Sequence, residues 1–124
     1  MTDAVIPVFH DAPRFGAGAV FSLETVRSEH SDDWFNQSLV TVNDSNVRFA
    51  KIHGEFHHHH HDTDELFFVL NGEMEIDVGN QTHRLKSGEG ILIEAGTVHR
   101  TRAESPAQLL VIAAREATMN GVAD

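Results

Sequence analysis

Five consecutive histidines, His57 to His61, lie shortly before Glu65 in a chain of 124 residues. Imidazole nitrogen and carboxylate oxygen are the donors that first-row divalent metals take, so the stretch is a candidate metal site. Residues two apart on a strand share a face, and His59 and His61 therefore present two imidazoles side by side toward a barrel interior. Asp62-Thr63-Asp64 is turn-forming and returns Glu65 beside them on the next strand. His99, on an independent strand just after the turn at Gly96, is the candidate fourth donor. Three histidines and one carboxylate leave an octahedral ion with open positions, which suits iron, manganese, nickel or cobalt. Zinc is a further candidate.

Elements of the right kind surround these residues. Glu73 to Val78 alternates strictly, with Met74, Ile76 and Val78 facing in and three acids facing out. Gly79-Asn80 is a two-residue hairpin signal before Gln81 to Lys86. Leu66 to Leu70 is apolar on both faces, so it needs two covers: the core, and a second layer or a second subunit. Upstream, Gln37 to Val42 and Val47 to His53 read as strands around the turn at residues 43–46. The β-branched content of Val20 to Arg27 favours another strand, and Ser31 to Trp34 reads as a turn or a capped helical turn. Downstream, Ile91 to Ile93 and Thr97 to Ala103 read as strands. Ser105-Pro106 closes the latter, and Ala107 to Arg115 forms the last. Residues 1–19 make an irregular arm or a short edge strand around Pro7 and Pro13, and residues 116–124 a frayed tail. Many short strands with no long amphipathic helix define an all-β sandwich or barrel.

The net charge of −10 argues against nucleic acid or an anionic membrane as the main partner, since both are bound through Lys and Arg. The absence of cysteine excludes disulfides and thiolate metal sites. The longest apolar run is far short of the ~20 residues a membrane helix needs. No basic start followed by an apolar stretch marks a signal peptide, so a cytoplasmic protein is expected.

The residues now carry a family resemblance. His59-x-His61-x3-Glu65-x6-Gly72 resembles the first cupin motif, and Gly88 followed by Gly96-x2-His99 resembles the second. The local wording Gly54-Glu55-Phe56-His57 and His99-Arg100-Thr101-Arg102-Ala103 is similar to small bacterial single-domain cupins. The resemblance implies a double-stranded β-helix, or jelly-roll barrel, with an N-terminal arm. Residues 1–46 would supply the arm and outer strands, 47–115 the barrel core and 116–124 the tail. Three departures loosen the turns and remove no donor. Gly54 stands one residue too close to His59, Glu94 takes the usual proline position, and Ala103 takes the usual asparagine position.

Register within the histidine run stays open. The wording at Gly54-Glu55-Phe56 favours His59 and His61, whereas a four-residue spacer before Glu65 favours His58 and His60. The two pairs face opposite sides of the strand. In the first register His57 also points inward, as a group behind the ligands or a substrate contact. His53 and His83 read as ordinary surface or core histidines.

The resemblance implies a metal-dependent enzyme acting on a small organic molecule: a dioxygenase, a decarboxylase or an isomerase, with Glu65 as ligand and base. The alternative is a non-catalytic small-ligand, metal-binding or sensor module. Arg48, Arg100 and Arg102 are candidates to hold an anionic substrate, but alternation puts Arg100 and Arg102 on the face opposite His99. The doubly apolar strands lead to the expectation of a homodimer.

Overall fold

The computed structural model describes residues 9–29, 34–115 and 119–121. In chain order these form β1 (Phe9–His10), α1 (Leu23–Ser28), β2 (Phe35–Val42), β3 (Ser45–Glu55), β4 (His59–His61), β5 (Glu65–Asn71), β6 (Glu73–Val78), β7 (Gln81–Lys86), β8 (Gly90–Ile93), β9 (His99–Ala114) and β10 (Met119–Gly121). The fold is all-β in the jelly-roll manner. No helix among the described residues is long and apolar enough to cross a membrane.

Strand β9 is the spine. One edge pairs with β3 over most of its length. The other edge pairs first with β6, over His99 to Arg102, and then with β5, over Gln108 to Ala113. Where β3 ends, β4 takes its place through the pair His59↔His99. Hairpin β6–β7 and the pair β5–β8 complete the walls. The alternation along Glu73 to Val78 is obeyed: Met74 and Ile76 are fully buried and pack with Phe67, Val69, Ile93 and Leu109 in the barrel interior. Full burial of each such side chain contributes roughly 1.5–3 kcal/mol.

Three expectations change. Val20 to Arg27 is not a strand; its end is helix α1. The spacing of Leu23 and Val26 is helical, Ser22 caps the first turn by accepting the Thr25 amide at 3.3 Å, and these local terms outweigh β-branched content. Ser105-Pro106 does not close a strand either, because β9 runs through it. There β9 bulges: Ile52 pairs with Ala107 and Gly54 with Ala103, so three residues face one. Pro106 has no amide to offer the ladder, and a bulge asks for none. The third change is in the tail, where Met119–Gly121 pairs antiparallel with β4. The expected turn at Ser31 to Asp33 lies outside the described residues, while Trp34 packs against the barrel core.

Gly72 sets the approach of β5 to the bulge. Its φ is +86°, and a Cβ there would stand 3.1 Å from the Pro106 oxygen and 3.2 Å from the Ala107 Cα, so glycine is required on both counts.

The second apolar face of β5 and β9 is partly covered from within the chain. Leu70 and Leu110 pack against a cluster of Val26, Phe35, Leu39 and Phe49, capped by Phe15, Phe21 and Leu23. Leu66, Phe68 and Leu92 lie beyond this cover, with Leu92 58% exposed.

Candidate metal centre

His59 opens β4 opposite His99 on β9, so their rings meet across the pair at 4.4 Å between centroids. His61, two residues on, lies on the same face with its ring 4.9 Å from that of His59. Glu65 is the first residue of β5, and its carboxylate Oε1 stands 3.1 Å from His61 Nε2 and 3.2 Å from His99 Nε2. One donor atom from each of these four residues lies within 4.8 Å of every other. The cluster is secluded: His99 is 1%, His59 4% and Glu65 9% exposed.

Main-chain contacts hold this arrangement. His59 Nδ1 donates to the His57 carbonyl at 3.0 Å, and His99 Nδ1 donates to the Thr97 carbonyl at 2.9 Å. A carbonyl only accepts, so Nδ1 carries a proton in both rings and Nε2 is the atom turned toward the cluster. The Gly96 amide donates to the His61 carbonyl at 2.7 Å, and the Ala95 amide donates to the Asp64 carboxylate at 2.9 Å. The turn before His99 is thereby tied to the turn between His61 and Glu65. Glu94 at the usual proline position leaves these ties in place, its own carbonyl accepting from the Thr97 amide at 3.1 Å.

Electrostatics favours metal-ready protonation states. Burial brings His59 down to about 4 against the opposing pull of the His57 carbonyl, with His99 and His61 adding to the fall. The ring is neutral at pH 7. Burial pushes Glu65 up, but His61 and His99 together outweigh it and bring the carboxyl down to about 2, so it is ionised. Glu65 Oε1 and His99 Nε2 are nonetheless buried without hydrogen-bond geometry. Such atoms are costly to leave unmatched. A proton on one imidazole would satisfy one contact, whereas a divalent cation would satisfy carboxylate and lone pairs together. The donor set therefore fits a divalent metal.

The side chains brought together are His59, His61, Glu65 and His99; His58 and His60 stand outside the cluster. His57 meets the site through its carbonyl, while its ring lies 4.2 Å from the Phe56 ring. His53 sits at the bulge with Nε2 3.2 Å from the Glu104 oxygen, and His83 pairs with Ile76 on the outer hairpin. Arg100 and Arg102 face outward and both donate to Asp77.

A cavity of about 420 Å³ adjoins the cluster, and His61 and Glu65 form part of its wall with Asn36, Thr41, Asn46 and Arg48. A smaller apolar compartment of about 80 Å³ shares that wall and is lined further by Trp34, Ile52, Phe56 and Phe67. Of the lining residues outside the cluster, only Arg48 had a signal for a site in the sequence, its charge. The rest are scattered over β2, β3, β5 and the loops, and only pairing brings them together.

A β-helix with three histidines and one carboxylate clustered inside it defines a class, and the comparisons agree. The profile described as "Cupin domain" matches residues 47–113, and the chain belongs to the cupin family. It is 45% identical over 83 residues to the uncharacterized protein YdbB of Bacillus subtilis (strain 168), covering 65% of this chain and 74% of that protein. The fold is similar to a cupin-2 domain containing protein from Shewanella frigidimarina NCIMB 400. The TM-score is 0.72 at 30% identity, over 75% of this chain and 92% of that one. Protein NMB1881 from Neisseria meningitidis shares the fold at a TM-score of 0.70 and 19% identity, over 77% of this chain and 99% of that one.

Proposed function

We propose that His59, His61, Glu65 and His99 hold one divalent ion, of iron, manganese, nickel, cobalt or zinc, and that the protein is a metal-dependent enzyme of the dioxygenase, decarboxylase or isomerase type. The observation that carries this is the junction of the four-donor cluster with a cavity large enough for a small organic molecule. A bound ion supplies Lewis acidity and, for a redox-active metal, electron transfer. The chain's own residues do the rest. His59, neutral at pH 7, and His99 turn Nε2 toward the cluster because their Nδ1–H groups are held by carbonyls. Glu65, ionised and facing the cavity, holds or moves a proton there. Phe56, Trp34 and Phe67 line the apolar side and exclude water. The same reading includes a homodimer, supported by the uncovered outer side chains Phe68 and Leu92.

The test is metal analysis of protein purified without a nickel column, because a histidine run collects resin metal. One equivalent of metal, lost in His99→Ala, with oxygen uptake or product formation on a panel of small acids and sugars, supports the proposal. Metal without turnover on any member reduces it to a binding module. A clean preparation without metal that takes up none from solution overturns it.

A further inference from the structure

Two arginines line the cavity beside the cluster, Arg48 and Arg115; Arg115 is exposed just past the end of β9, and the interior position belongs to Arg48. It stands on β3 in line with Ala50 and Ile52, whose side chains are buried in the barrel core, and pairs with buried Val111. A cation at an interior position is costly unless it is matched. Arg48 is 13% exposed and is matched from two sides: Nε donates to Asn36 Oδ1, and Nη2 donates to Asp11 Oδ1 at 3.0 Å. The two partners differ. Asn36 is a part-buried neighbour on β2, whereas Asp11 follows the two-residue β1 and is 80% exposed. A carboxylate that is already in water gives little net energy in such a pair. Asp11 therefore models the group Arg48 accepts and is the partner most easily displaced.

We infer that Arg48 anchors the carboxylate of a small organic acid in this cavity, and that the acid displaces Asp11 to reach it. Asn36 fixes the guanidinium through Nε, and the remaining donors form the planar fork that suits a carboxylate. The apolar compartment beyond His61 and Glu65 then takes a short hydrocarbon portion of the same molecule. The inference deepens the reading of the site as one for a small molecule, but its test does not need turnover.

The probe is butyrate, with butyramide as the neutral control, titrated calorimetrically into wild type, Asp11→Asn and Arg48→Gln at matched metal content. Butyrate is expected to bind wild type, to bind Asp11→Asn several-fold tighter, and to bind Arg48→Gln weaker by about tenfold or more, the scale of a charge-assisted hydrogen bond. Butyramide is expected to distinguish none of the three. Equal butyrate affinity in Arg48→Gln and wild type would place the carboxylate elsewhere and overturn the inference. So would weaker binding in Asp11→Asn, which would make the ion pair only a tie between β1 and β3. Absence of butyrate binding in both wild type and Asp11→Asn overturns it as well. If Arg48→Gln does not fold, Asp11→Asn decides alone: tighter binding supports, unchanged binding overturns. Butyrate that still prefers Asp11→Asn in a protein that takes up no metal would sink the metal proposal and leave this one standing.

Discussion

Glu65 is the residue on which the centre balances. Against burial, its carboxyl is held down to about 2 by His61 and His99, whose Nε2 atoms stand 3.1–3.2 Å away. Glu65→Gln removes the charge on which both these contacts and a cation would draw. Without added metal, the variant is expected to melt below wild type at pH 7, because a carboxyl with a depressed folded pKa contributes stability there. On addition of excess manganese or zinc, wild type rises by roughly 5 °C or more while the variant stays flat. A variant that still responds to metal would contradict this account of the cluster. The pair His59 and His61 was legible in the sequence as one of two registers only, because five identical side chains carry no mark of which face is which. What selects the face is main-chain: the pair His59↔His99, the His57 and Thr97 carbonyls, and the Gly96 amide on His61. In each contact the deciding partner is a main-chain group, which the order of side chains does not display.

At the scale of elements, strict alternation was the strongest signal and the hairpin at β6–β7 follows it. Its outer face carries Asp77, which accepts from Arg100, Arg102 and Thr82. Arg102 above all, against some burial and with help from Thr82 and Arg100, holds the Asp77 carboxyl well below the usual carboxylate range. A carboxyl whose folded pKa is depressed contributes stability that is fully present above its unfolded value and is lost as pH falls through the folded one. Urea unfolding of Asp77→Asn should therefore show a lower midpoint than wild type at pH 7, with the difference shrinking as pH drops below about 4. A difference that stays constant down to strong acid would assign the loss to packing rather than charge. Two elements were misread for identifiable reasons. α1 is six residues long, too short for a periodic signal to outweigh composition. In β9, proline and a neighbouring serine imitate a chain break, whereas the bulge opposite His53 absorbs both.

For the whole molecule, the unsettled surface is the outer face of β5, β8 and β9. Pairing sets Leu66 beside Leu92 and Ile112, and Phe68 beside Gly90 and Leu110. The sequence showed that these strands are apolar twice over, but not that the segment around α1 covers one end, at Leu70 and Leu110, and stops. Leu92 stays 58% exposed and Phe68 37%. An apolar patch on a chain with net charge −10 is an economical place for two copies to meet, because elsewhere like charges repel. A two-fold contact sets each residue near its own copy, so Leu92→Glu would oppose two carboxylates across the axis. Leu92 lies outside both core clusters, and its replacement should leave the fold and its melting nearly unchanged except for the contribution of association. Light scattering at micromolar concentration is expected to give a dimer mass for wild type and a monomer mass for Leu92→Glu, with the metal content of the two equal. A monomeric wild type would refute the contact, and a dimeric Leu92→Glu would move it to another face.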